Sequence, residues 1–356
     1  MSAPDIRMPG DVTADWLSAV LAQGGVDAQV SGFVAKAVGA GMIGDSVRFT
    51  LDYARAGADA PRSIVGKFPS AGEESRNAGV SLGNYMREVR FYQHLSKTAL
   101  IRTPFCYFTD VDPVSHDFVL MMEDLNPARQ GDQLAGASIA DARSVVEEAA
   151  KLHASHWQDD ALFAYEWLNA TAGDGPSFDV NEISALWDGF RARYGERVTP
   201  EAAKIGDALC ANWLKYDHVD GPRGLNHADF RPDNMMFKDA PDGPQMVMLD
   251  WQSVGYGNPA TDVAYFLAGA ITPDERKEHG AALLAHYHAT MGRHGVTYDP
   301  ADFERHFARG SFQLFLTAFF AAMLVTQTPR GDDMFFRMAN GAVDQILDTG
   351  AMALLD

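Results

Sequence analysis

The sequence predicts an α+β chain: a small antiparallel sheet carrying one helix, followed by a larger, mainly helical body. Two observations carry this. Between residues 28 and 68, apolar residues alternate in short β-branched runs separated by glycine-rich turns, the pattern of an antiparallel meander. From about residue 138 the apolar period becomes helical and stays so almost to the end. At 356 residues, 47% of them hydrophobic, the chain is long enough for two domains and able to bury a core in each. The expected division is 1–122 and 123–356, with "NPARQGDQLAG" near the junction rich enough in proline and glycine to act as a hinge.

Each element has its own signal. "DVTADWLSAVLAQGG" (11–25) has a polar start, helical spacing of Trp16, Leu17, Val20 and Leu21, and a glycine stop. "AQVSGFVAKAV" (28–38), "SVRFTLDYA" (46–54) and "SIVGKF" (63–68) read as strands. "SLGNYMREVRFYQHLS" (81–96) reads as one helix with Tyr85, Val89 and Tyr92 on a face, and "FCYFTDVD" (105–112) and "DFVLMMEDL" (117–125) as two more strands. "SIADARSVVEEAAKLHASHW" (138–157) is a long amphipathic helix that Ser138 or Asp141 could cap. The most apolar stretch, "FQLFLTAFFAAMLV" (312–325), is too short to span a bilayer and reads as a buried helix.

Charge and cysteine narrow the partners. The formal net charge is -19, which repels phosphate backbones and anionic lipids, so neither nucleic acid nor a membrane is expected as partner. The same excess suits plain solubility or a cationic substrate. Cys106 and Cys210 form no CxxC pair, so neither a zinc site nor a disulfide framework is expected. With no apolar leader in "MSAPDIRMPGDVTADW", a cytoplasmic protein is expected.

Three constellations carry chemistry. Gly39, Gly41 and Gly44 form GxGxxG, but the run after them alternates like a strand, whereas a dinucleotide fingerprint needs a helix there. A glycine loop between antiparallel strands is the arrangement that covers ATP phosphates; a plain hairpin is the alternative. Lys67 interrupts an apolar strand, where an ammonium is costly unless paired, and Glu88 on the next helix is its natural partner. The bland alternative is a snorkelling lysine and a solvated glutamate. Third, "NHADFRPDN" puts Asp229 and Asn234 on one loop, and "MVMLD" ends a buried strand on Asp250. Two oxygen donors of this kind suit Mg²⁺, and Asp229 is then free to accept a hydroxyl proton.

On these residues the chain resembles the aminoglycoside phosphotransferase and choline kinase-like family, nearest its ecdysteroid kinase-like (CHK kinase-like) branch. The resemblance rests on "NHADFRPDNMMF" and "LDWQSVGYGNPATDVAYFLAG", supported by "GAGMIG", "VGK", "REVRFY", "VLMMEDL" and "LHASHW". It implies a bilobal protein-kinase-like fold and an enzyme moving the γ-phosphoryl group of ATP to a hydroxyl of a small organic molecule. By the same resemblance Asp229 is the catalytic base and Asn234 and Asp250 the magnesium ligands. Lys67 and Glu88 become the phosphate-binding lysine and its partner, Met121, Met122, Glu123 and Asp124 the hinge that meets adenine, and Asp262 a brace for the catalytic loop or a helix N-cap. Ala228 stands where the family usually has glycine, tolerable if its φ stays negative, and Trp251 replaces a usual phenylalanine. The short span from Asp250 to Asp262 favours a small acceptor over a peptide. An antibiotic-inactivating kinase and a catalytically inactive binding protein remain as alternatives. Trp187, Phe190 and Tyr194 are either acceptor lining or core, and His153 and His156 either packing or metal-binding.

Overall fold

The structure, a computed structural model, describes residues 3–39, 43–169, 179–217 and 221–355. The chain divides into two compact units. Met1–Thr98, Thr103–Pro127 and Met248–Ser253 form the first; Ala99–Arg102, Ala128–Val247 and Val254–Asp356 form the second.

The first unit contains α1 (Ala14–Gln23), β1 (Ala28–Val38), β2 (Gly44–Ala56), β3 (Ser63–Pro69), α2 (Glu73–Ser81), α3 (Asn84–His94), β4 (Cys106–Val111) and β5 (Phe118–Glu123). Its strands make one antiparallel sheet in the order β1-β2-β3-β5-β4. Thr13 caps α1 by accepting the Trp16 N–H, and Trp16, Leu17, Val20 and Leu21 bury against Phe49, Ile64, Phe68, Val119 and Met121 of the sheet. Side chains alternate across a strand, so Lys67 points to the face opposite Ile64 and Phe68. Helix α3 supplies the partner there, with Tyr85, Glu88, Val89, Phe91 and Tyr92 buried in one stripe and Tyr85 packed on Phe118 of β5. The helix expected over 81–96 is α3, which starts after Gly83 at a left-handed φ of 69°; the helix α2 before it was not expected.

The second unit contains β6 (Arg129–Gln130), α4 (Ile139–Ser155), α5 (Val180–Tyr194), α6 (Pro200–Ala211), α7 (Trp213–Asp217), β7 (Gly224–Asn226), β8 (Met235–Lys238), β9 (Gln245–Met248), β10 (Gly255–Gly257), α8 (Ala260–Ala270), α9 (Pro273–Arg293), α10 (Pro300–Leu324) and α11 (Pro329–Asp348). The strands form two small sheets, β6-β8-β9 and β10-β7. Helix α8 is buried along nearly its whole length. Two glycines let its neighbours approach: a Cβ on Gly310 of α10 would lie 2.8 Å from Thr261 Cα, and one on Gly341 of α11 2.1 Å from the Ala268 carbonyl. That close packing fixes α8, the helix that carries Asp262.

From Ala128 the proline- and glycine-rich stretch belongs to the second unit, where Arg129–Gln130 pairs with β8 and the Gln133 side chain donates to the Gly269 carbonyl at 2.9 Å. The apolar run 312–325 is the second half of a 25-residue helix whose start, "PADFERHFAR", is amphipathic. By length and composition α10 could cross a membrane, yet 61% of its apolar window is buried within the protein, as in a core helix.

Candidate active site

In the first unit, β3 and α3 bring Lys67 and Glu88 together. Lys67 Nζ lies 2.8 Å from Glu88 Oε2 and 2.7 Å from Asp250 Oδ1, the latter carried by the segment just after β9. Burial lowers the tendency of Lys67 to hold its proton, but the Asp250 and Glu88 charges outweigh it and hold the ammonium well above its ordinary range. Burial is also the main influence on Glu88, and it raises that carboxyl against the pull of Lys67. One ammonium thus faces two carboxyl groups. Gly44, at the start of β2, makes room for the lysine stem, since a Cβ there would meet Lys67 Cε at 3.3 Å. Gly39 ends β1 with φ 76°; Gly41 lies outside the described residues. The chain runs on from Gly44 as the strand β2, at the place where a dinucleotide fingerprint would need a helix.

The returning segment is clamped. Asp250 has φ 62°, a conformation that side-chain-bearing residues rarely adopt. Next to it Trp251 is fully buried, stacked on Phe91 with ring centroids 3.8 Å apart, and its Nε1 donates to Thr103 Oγ1 at 3.0 Å. The tryptophan is accommodated by that stacking partner and by the hydroxyl.

At the end of β5, Met121 is buried in the sheet core, and Met122 pairs with Val65 and Cys106. Asp124 receives both Arg48 Nε and Nη2, at 2.6 and 2.9 Å, as well as Ser63 Oγ; Glu123 Oε2 receives the Phe105 N–H at 3.1 Å. The Asp124 and Glu123 side chains are thus engaged within the first unit.

In the second unit, the loop after β7 carries Asp229 and Asn234. Asp262 of α8 accepts the backbone N–H groups of His227 and Ala228, at 2.7 and 3.0 Å. It is a brace and not a helix cap, for α8 has no side-chain cap hydrogen bond. Behind it, His153 of α4 reaches Asp262 Oδ2 at 3.4 Å and Tyr287 at 2.9 Å. Asp229 receives three donors: Tyr265 OH on Oδ1 at 2.9 Å, and Arg231 Nε and Asn234 Nδ2 on Oδ2 at 3.1 and 2.8 Å. Burial raises the Asp229 carboxyl, but Arg231, His227 and Tyr265 more than offset it and hold the group below its ordinary range. It is a carboxylate.

A model of the phosphotransferase enzyme family matches residues 53–297, more than half of the chain, a span that holds Lys67, Glu88, Asp229, Asn234 and Asp250 but not the glycine loop. The chain belongs to the phosphotransferase enzyme family. Three solved structures of similar fold are a provisionally assigned aminoglycoside phosphotransferase of Ralstonia eutropha JMP134, the aminoglycoside 2'-phosphotransferase-IIIa in its GDP complex, and the choline kinase LicA of Streptococcus pneumoniae. The first is 17% identical, with TM-score 0.57 and coverage of 94% of this chain and 97% of that one. The second is 13% identical, TM-score 0.53, coverage 94% and 98%. The third is 14% identical, TM-score 0.50, coverage 88% and 94%. No curated protein sequence matches the chain. At these identities the likeness is one of fold, a kinase-like α+β architecture with an antiparallel-sheet unit and a helical unit.

Within this phosphotransferase the structure corrects one expectation and adds several residues. Ala228 has φ 63°, not a negative value, so the residue replacing glycine sits in the left-handed region and is held there by Asp262. Tyr265 and Arg231 were legible only as neighbours of the motif, although Tyr265 comes three residues after Asp262 and so shares its helix face. Arg231 spans Asp229 and Asp233, its Nη1 reaching Asp233 Oδ2 at 3.1 Å. Trp187, Phe190 and Tyr194 are core: all three are buried, and Trp187 stacks on Phe190.

Proposed function

We propose that this phosphotransferase moves the γ-phosphoryl group of ATP to a hydroxyl of a small organic molecule, with Asp229 as the base and Asn234 and Asp250 as ligands of Mg²⁺. The observation that carries the reading is Asp229 itself, a nearly buried carboxylate in the loop of the family motif that receives donors from Arg231, Asn234 and Tyr265. A base of low proton affinity suits phosphoryl transfer. Little proton transfer is needed until the bond to phosphorus is well advanced, so alignment of the nucleophile outweighs basicity.

Asn234 and Asp250 are each oxygen donors of the kind magnesium takes, and Asp250 shares Lys67 with Glu88, so the ammonium is not its own to keep. Both amide bonds of Asn234 go to Asp229, to its carbonyl at 2.9 Å and its Oδ2, so its oxygen is the atom left to accept. Bound there, the ion would neutralise charge on the phosphate oxygens. Lys67, kept charged by Glu88, would orient the α- and β-phosphates; Gly39, Gly41 and Gly44 would cover them; and the main chain of residues 121–124 would meet the adenine.

The acceptor reading is supported by how the acids near the loop are engaged. Asp233 receives Arg231 and Arg330, Asp132 receives Arg330, and Asp332 receives the Tyr194 hydroxyl at 2.7 Å and Gln327 at 2.8 Å. Paired acids offer a polycation little, which favours an acceptor without several positive charges over an aminoglycoside. Between Asp250 and α8 lies only a 3₁₀ turn and β10, with no segment to dock a peptide. By its motifs we place the chain nearest the ecdysteroid kinase-like branch.

The test is an acceptor screen reading ADP release with MgATP, with aminoglycosides in one arm and neutral sterols, hydroxy acids and hydroxyacyl-CoA thioesters in the other. Turnover confined to the aminoglycoside arm would overturn the acceptor class. A protein that neither releases ADP nor gains thermal stability with MgATP would be a non-catalytic member of the family, and the reading would fall.

A further inference from the structure

We infer that Tyr265 is a positioning residue of the transfer step: it fills one acceptor site of Asp229 Oδ1 and thereby turns the other site of that same oxygen toward the hydroxyl that is phosphorylated. The inference rests on the reading of Asp229 as base. A carboxylate offers about four lone-pair sites, two on each oxygen. Arg231 Nε and Asn234 Nδ2 take those of Oδ2, and the Tyr265 hydroxyl takes one on Oδ1. One site remains, and it is on Oδ1.

The support for that hydroxyl is built into the fold. Tyr265 is 1% exposed on α8, three residues after Asp262, which holds the main chain of the same loop. One helix therefore fixes the loop backbone and the carboxylate together, and the glycine contacts of Gly310 and Gly341 hold that helix close to its neighbours. Burial pushes the Tyr265 hydroxyl well above its ordinary range, and the neighbouring Asp229 charge adds to this. It donates without giving up its proton. In the step itself the acceptor oxygen bonds to Pγ while the bond from Pγ to the bridging oxygen of ADP breaks. The acceptor's proton passes to Asp229 Oδ1, and Tyr265 keeps its own.

The experiment uses the full chain with MgATP and water as acceptor, reading ADP release over a range of MgATP concentrations. Tyr265→Phe keeps the ring and removes the hydroxyl. The expected result is a kcat lower by roughly tenfold or more, with the KM for MgATP and the MgATP-induced rise in Tm unchanged. That split is the discriminating readout, because a ring that only fills the core would alter folding stability and nucleotide binding along with the rate. An unchanged kcat, or a kcat that falls together with nucleotide binding, overturns the inference. Should Tyr265→Phe fail to fold, Tyr265→Leu, which also removes the hydroxyl, decides by the same split. Asp229→Asn separates the two levels. If that variant keeps its kcat, the base reading itself fails; if it is dead while Tyr265→Phe matches the parent in kcat and KM, only the inference on Tyr265 fails.

Discussion

The Asp262 carboxylate receives the His227 backbone N–H at 2.7 Å, and both residues are fully buried. A second N–H, from Ala228, reaches the same carboxylate. Removing the acceptor strands two backbone donors, so Asp262→Ala should destabilise the second unit by about 2–5 kcal/mol. Urea unfolding measures this; a loss below about 1 kcal/mol, the net size of a single ordinary hydrogen bond, would mean that water replaces the carboxylate and the brace is dispensable.

Ala228 sits at φ 63°, where an L-residue pays for a crowded Cβ. The left-handed penalty of about 1–2 kcal/mol exceeds the extra chain entropy of glycine, about 0.4–1 kcal/mol. Ala228→Gly should therefore stabilise the protein by about 0.5–1 kcal/mol, and Ala228→Val should destabilise it. A thermal-melt series of the three variants in the opposite order would contradict the strain.

Trp251 holds the segment of Asp250 through Phe91 and Thr103. Trp251→Phe keeps a stacking ring and loses the indole hydrogen bond, with an expected loss of about 1–2 kcal/mol. Trp251→Ala should lose about 3–5 kcal/mol. If both cost the same, the stacking contributes nothing.

Two charged centres set the pH dependence. Lys67 is held above its unfolded value of 10.5, so its ion-pair contribution is fully present below that value and is lost only as pH rises through the folded one. MgATP-induced stabilisation should stay level from about pH 7 to about pH 10 on this account, and a fall centred near about pH 8 would contradict it. Asp229 is held below its unfolded value of 3.8, so its contribution is present above about pH 4 and lost as pH falls through the folded value.

Asp229→Asn should lower kcat by roughly 10²–10⁴-fold with little change in nucleotide affinity, because the carboxylate acts on the acceptor and not on ATP. Steady-state rates with the identified acceptor, alongside nucleotide titration by thermal shift, check both halves of that statement. A parallel loss of nucleotide affinity would place Asp229 in the ATP site.

Much of this was legible in the chain. Alternation and glycine turns located β1, β2 and β3, and the cost of burying a lone lysine made Glu88 its natural partner, although a snorkelling lysine and a solvated glutamate read equally well from sequence. Asp229, Asn234 and Asp250 stood out because several polar residues in a short loop, and an acid at the end of an apolar strand, have few structural reasons to exist. Helix α2 was missed because its sequence, EESRNAGVS, carries almost no apolar period, and only Gly79 of it is buried. Trp187, Phe190 and Tyr194 could not be placed from spacing, since a core stripe and a pocket lining share one period.

The sequence by itself determined the local elements, the alternation that turns Lys67 away from the α1 face, and the residue set of the family motif, all of which depend on neighbours close in the chain. Only the tertiary structure decided that Asp262 braces rather than caps, that Ala228 is held left-handed, and that Tyr265 and Arg231 share one carboxylate. Those outcomes depend on residues such as His153, Tyr287, Gly310 and Gly341, which approach the loop through helix packing. Distance along the chain carries no information about which of them arrive.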